Sequence, residues 1–180
     1  MPNQSIQSPS GKEMFLVTNR TTTNIESKEI KKIFVSRERI EILISDSRLI
    51  SSGSQFGHTS MAIDGTVYGR AHGGWDIDTR ESYLFRQQVK MHRDTWGYSL
   101  AISKTEKENI LKEIKKRAAE NKPYKLDSNS CSSNIAEILE FAGIPAYDPR
   151  YGLPVVSPAD LMVGLSHSKR LTKKETYPKK

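Results

Sequence analysis

The sequence predicts an α+β domain in which strands come first and helices follow. Three observations carry that reading. An Asp64-Gly65 pair lies between two apolar-containing runs, a strong short-range hairpin signal. Residues 105–118 repeat apolar side chains at helical spacing behind a capping motif. A second helical stripe starts at Cys131, the single cysteine of the chain.

A chain of 180 residues can bury one sizeable core and is cramped for two. Residues 1–12, polar and without periodicity, are expected to be a disordered leader; residues 13–168 a single domain; and residues 169–180 a basic disordered tail. Within the domain, residues 13–17 read as a short strand, 21–27 as loop, and 28–35 as either a helix or a strand. Residues 41–45, with Ile42, Leu43 and Ile44, have the length and β-branched content of a strand.

In the hairpin, a two-residue loop sets Ile63 opposite Thr66, Met61 opposite Tyr68 and Ser60 opposite Gly69. His58, Ser60 and Ala62 then share a face with Val67, Gly69 and Ala71, and these small neighbours leave room beside the imidazole. Further strands are expected over residues 83–91 and 96–103. Thr105 and Glu108 predict a capping box, with Ile110, Leu111, Ile114 and Ala118 as the buried stripe and Pro123 beyond the end. The next helix runs from Cys131 to Ala142 and stops at Gly143, with Ile135, Ile138 and Leu139 inward; stepping four residues back from Ile135 turns Cys131 inward too. Residues 147–158 read as loop, and Ser157-Pro158 opens a last short helix over residues 159–164.

Composition narrows the function. No apolar stretch approaches the roughly 18 residues of a membrane span, and one cysteine cannot form an internal disulfide. The first residues lack a signal-peptide core, so synthesis in the cytoplasm without a secretory leader is expected. The net charge is +7, but residues 169–180 hold six bases and one acid, leaving the body nearly neutral. Such a tail is more often a solvated end than a nucleic-acid arm. Neither a phosphate-binding glycine loop nor a GxSxG elbow occurs, and the four histidines give no metal-ligand spacing beyond the weak pair His58 and His72. No cofactor is implied.

What remains is a thiol and an imidazole. A cysteine on the first helical turn faces unsatisfied N–H groups and the positive end of the helix dipole, both of which favour thiolate. The same amides can hold an oxyanion, and a nearby imidazole can move the proton. A lone cysteine on an apolar helix face is more often inert core. Cys131, however, sits in the polar run Ser128-Asn129-Ser130-Cys131-Ser132-Ser133-Asn134, where packing gives no reason for it. A third, orienting group is expected, with His72 and Asp76 as candidates; strict alternation puts His72 on the face opposite His58 unless Gly69 bulges.

Phe56-Gly57-His58-Thr59 with its Asp-Gly hairpin, followed by Asn129-Ser130-Cys131-Ser132-Ser133-Asn134 opening a helix, resembles the circularly permuted NlpC-type branch of the papain-like cysteine hydrolases, in which the histidine strand precedes the cysteine helix. The resemblance spans residues 42–165. It implies an antiparallel sheet packed against the cysteine-bearing helix, with Cys131 as nucleophile, His58 as base and His72 as third residue. It also implies amide cleavage in peptidoglycan peptides, while relatives of the lecithin retinol acyltransferase type act on lipid acyl groups. The chain is similar, too, to small antibacterial effectors of type VI secretion, which act in the envelope of a neighbouring cell and have cognate immunity proteins. The rivals are a thiol hydrolase or acyltransferase acting on lipid or protein substrates, and a non-enzymatic polyanion-binding module built on the basic tail.

Overall fold

The computed structural model describes residues 38–47, 57–126, 128–146 and 156–180, together with the backbone of five short N-terminal strands. Those strands are β1 (Ser5–Gln7), β2 (Glu13–Phe15), β3 (Thr21–Thr23), β4 (Ile30–Lys32) and β5 (Val35–Ser36). β2 pairs antiparallel with β1 and β5, and β3 with β4. The expected leader lies outside the described residues except at β1, and the expected loop at 147–158 does so up to residue 155.

The body is one antiparallel six-stranded sheet. Its strands are β6 (Glu38–Ser45), β7 (His58–Ile63), β8 (Thr66–Ala71), β9 (Gly74–Thr79), β10 (Thr95–Ile102) and β11 (Leu171–Tyr177), in the order β11-β10-β6-β7-β8-β9. The β7–β8 hairpin has the expected register, Ile63 opposite Thr66 and Ser60 opposite Gly69. Its turn places Asp64 at φ 48° and Gly65 at φ 81°, the left-handed pair that such a loop requires.

Both faces of the sheet are covered. On one, Ile40, Ile42, Ile44, Met61, Leu100 and Ile102 pack against three helices: α2 (Lys104–Glu120), α3 (Cys131–Phe141) and α4 (Pro158–Ser166). Ile110 and Ile114 supply the α2 contact, and Ile135, Ile138 and Leu139 supply that of α3. On the other face, Leu43, Ala62 and Val67 pack against Tyr83 and Leu84. Those two belong to α1 (Arg80–Phe85), which continues through a π-helical turn, Arg86–Lys90.

Several expectations are corrected; residues 21–23, expected to be loop, form β3. Residues 83–90 are helical, not extended: Thr79 caps the segment by accepting from the Ser82 amide, and Tyr83 and Leu84 pack on the sheet. The first long helix is capped by Ser103 and Glu106 rather than by Thr105 and Glu108. Ser103 follows directly on β10, so the earlier of two competing boxes closes the helix. Finally, the basic tail is not a free end: its strand, β11, pairs with β10. A bulge opposite Ser99 and Leu100 lets Leu171 join the helix-side core while Tyr177 packs on the opposite face.

The bases of β11 are housed at the surface, Lys173 beside Glu175 at 2.7 Å and Lys174 over the Tyr98 ring at 5.7 Å. Tyr177 donates to the Glu41 carboxylate at 2.6 Å, and Arg80 reaches the same carboxylate at 2.8 Å. A Cβ at Gly97 would collide with that carboxylate, so the strand is kept bare there. No described helix is long and apolar enough to cross a membrane.

Tyr177→Phe should therefore destabilise the fold by about 1–2 kcal/mol, since a charge-assisted hydrogen bond to a largely buried carboxylate is lost. Urea denaturation checks this; an unchanged midpoint would mean that β11 is not anchored through Glu41.

Candidate active site

The start of β7 and the start of α3 lie against each other, Thr59 of the strand beside Ser132 of the helix. β7 is placed by its register with β6, in which His58 stands opposite Ser45. Just before it, Gly57 adopts φ 82° and passes the Ser45 carbonyl so closely that a Cβ there would lie 2.7 Å from the oxygen. α3 is fixed at its entrance by a reciprocal cap, Ser130 accepting from the Ser133 amide at 3.2 Å and Ser133 Oγ accepting from the Ser130 amide at 2.8 Å. Asn134 reinforces the turn by donating to the Ser130 carbonyl at 2.8 Å and to Asn129 Oδ1 at 2.7 Å.

Cys131 is thus held on the first turn, 5% exposed. Its sulfur lies 3.7 Å from Ser132 Oγ, and His58 and the Thr59 backbone stand close enough to act on its ionisation. Burial pushes the thiol up, but His58, by hydrogen bond and by charge, together with Ser132 and Thr59, outweighs it and lowers the thiol to about 7. Thr59 Oγ1 and Ser132 Oγ, 3.4 Å apart, tie strand and helix together beside the sulfur.

The floor beneath His58 is as small as the hairpin pattern implies. A Cβ at Gly69 would lie 3.3 Å from His58 Nε2 and 2.5 Å from Ser60 Oγ. Beyond it, Ser60 donates to the Tyr83 hydroxyl oxygen at 3.1 Å, and the Tyr83 and His58 rings are 6.4 Å apart. Tyr83 is fully buried, which holds its phenol up at about 12. Arg93, 3% exposed, lies within electrostatic range of Tyr83, Asp46 and Cys131.

The remaining candidates sit further out. His72 is exposed in the turn after β8 and stacks on Tyr124, with ring centroids 4.9 Å apart. Tyr124 lies within electrostatic range of Cys131; burial first, then the sulfur's negative charge, pushes that phenol up to about 12. His72 is therefore one ring removed from the sulfur. Asp76 is taken by an ion pair with Arg86. Among the described residues, no three His, Cys, Asp or Glu side chains cluster as metal ligands would. Tyr124, Tyr83 and the Thr59 amide escaped the sequence reading: a tyrosine outside any stripe and a backbone donor leave no periodic signal.

A family model described as the Lnb N-terminal periplasmic domain matches residues 66–162, more than half of the chain. The matched stretch includes Tyr124 and Cys131 and leaves His58 outside. No curated protein and no solved structure matches the chain.

His58→Ala should slow alkylation of Cys131 by iodoacetamide at pH 7 by about tenfold or more. A half-ionised thiol would return to its ordinary value of about 8.5 or above once burial is unopposed. Gly69→Ala, which crowds the same imidazole, should slow it in the same direction. Alkylation unaffected by both changes would dissociate the imidazole from the sulfur.

Proposed function

The chain belongs to the Lnb N-terminal periplasmic domain family, within the papain-like, NlpC/P60-related domains, and on that premise we propose that it is a cysteine hydrolase working through a Cys131 acyl-enzyme. The observation that carries the reading is a buried cysteine on the first turn of a helix docked against the strand that carries His58, with its thiol lowered to about 7 by His58, Ser132 and Thr59. That value gives a large thiolate fraction at neutral pH together with a base able to return the proton.

In the proposed sequence, the Cys131 thiolate attacks the carbonyl carbon of an amide, forming a C–S bond while the carbonyl becomes an oxyanion. The first-turn amides of α3 and the Tyr124 hydroxyl, protonated at neutral pH, are the donors for that charge. His58 carries the proton to the leaving amine as the C–N bond breaks. It then takes a proton from water, which attacks the thioester, and the thiolate departs with the acid released. His72 is proposed as a positioning residue, since it stacks on Tyr124 and touches neither sulfur nor His58 in the described contacts.

The substrate proposed is a peptide amide of peptidoglycan. The periplasmic designation of the family supports a target in the cell envelope, and delivery into a neighbouring cell as a type VI effector, opposed by an immunity protein, is proposed as its setting. A second reading, acyl transfer to an amine or from a lipid, is favoured by one observation: at 5% exposure the sulfur is poorly reached by water, which would prolong a thioester until another acceptor arrives. The polyanion module has less to recommend it as a free arm, because Leu171–Tyr177 is a strand paired with β10.

Incubation with purified wall fragments should release new amino groups and trap a thioester on Cys131 detectable by mass spectrometry. Equal release by Cys131→Ala would overturn the mechanism. New amide formation, or loss of acyl ester from phospholipid vesicles without wall cleavage, would move the chain to the second reading.

A further inference from the structure

A cleft of about 410 Å³ opens beside the first turn of α3, between that helix, the end of α2 and the β8–β9 hairpin. Arg70, Trp75, Lys125, Asn129 and Asn134 contribute to its lining. Its other charges are already matched. Glu113 pairs with Arg117 at 2.9 Å and with Lys116 at 3.9 Å, Glu137 with Arg117 at 2.6 Å, and Glu120 with Lys122 at 3.2 Å. Among the described residues, no carboxylate pairs with the two cations left over, Arg70 and Lys125.

Arg70 makes that surplus consequential. It is 3% exposed, donating to the Lys122 carbonyl at 2.6 Å and also to the Ala71 carbonyl. Two neutral carbonyls orient a guanidinium without cancelling its charge, and a buried cation without a counter-charge is costly. The guanidinium also lies over the Tyr124 ring, 5.8 Å from its centre, and that tyrosine is within electrostatic range of Cys131. Arg70 and Cys131 thus flank one tyrosine. Trp75 gives the cleft an apolar wall, while Asn129 and Asn134 give it amides tied to the α3 entrance.

We propose that this cleft is the subsite for an oxyanion of the substrate, a carboxylate or a phosphate, and that Arg70 and Lys125 select it. The subsite rests on the acyl-enzyme reading only for the word substrate; the anion preference is a property of the cleft itself. A wall peptide would present a carboxylate near the amide attacked, and a phospholipid would present the phosphate of its headgroup.

The test uses the full chain carrying Cys131→Ala, with an N-acetyl dipeptide acid, its carboxamide and inorganic phosphate as probes in calorimetric titrations. The acid should bind about tenfold or more tightly than the carboxamide, as expected for a charge-assisted contact, and phosphate should compete with it. Acid tighter than phosphate identifies a peptide carboxylate as the source, and the reverse identifies a phosphate group. Lys125→Glu, at an exposed position, should weaken acid binding about tenfold, and Arg70→Gln at least as much where it folds. Equal or undetectable binding of acid and carboxamide, or an unchanged affinity in Lys125→Glu, overturns the proposal. Alkylation of Cys131 in the unsubstituted chain separates the two ideas: an ordinary thiol with selective acid binding removes the acyl-enzyme and leaves the subsite, and a reactive thiol with no acid preference does the opposite.

Discussion

The seat of the Cys131 sulfur is the constraint on which the site depends. A thiol this buried would ordinarily be harder to ionise, yet three groups from two elements hold it down: the His58 side chain and the Thr59 backbone from β7, and the Ser132 hydroxyl from α3 itself. Two of the three come from the strand, so a lowered thiol requires α3 to dock on the beginning of β7. Gly57 lets the chain enter β7 past Ser45, and Gly69 keeps the floor low enough for the imidazole. The Thr59 and Ser132 hydroxyls close the joint.

The two faces of the sheet divide the work. Against α2, α3 and α4 the contacts are mainly aliphatic, and they supply the non-directional burial that keeps the helices in place. Behind His58 the surroundings are wetter in chemistry though not in exposure. Ser45 and Thr95 share a hydrogen bond at 2.9 Å, Ser60 bonds Tyr83, and Arg93 lies near by. Buried hydroxyls of this kind are tolerable only when partnered, and once partnered they hold a ring in one orientation more strictly than aliphatic packing does. The polar half of the core thus lies where a fixed imidazole is needed.

Much of this was legible in the sequence because it is local. The Asp64-Gly65 turn dictated the hairpin register, and that register put Gly69 under His58. The polar run around Cys131, with Gly143 at the far end, marked both ends of α3, and the structure sets Gly143 at φ 75°. The failures are tertiary. Whether residues 83–91 are helix or strand depends on which sheet face Tyr83 must cover, and β11 needs an open edge on β10 that no reading of a charge run reveals. Tyr124 is joined to Cys131 by folding rather than by spacing. A stripe of apolar residues announces a helix, whereas a single hydroxyl meeting a single sulfur announces nothing until the chain has closed.

The measurement that bears most directly on the account is the ultraviolet absorbance of the Cys131 thiolate followed across pH, with Cys131→Ser as blank. A midpoint near 7 is the result that the strand-to-helix contact predicts. A midpoint at or above the ordinary thiol value of about 8.5 would show that burial has won and that the sulfur is an inert part of the core.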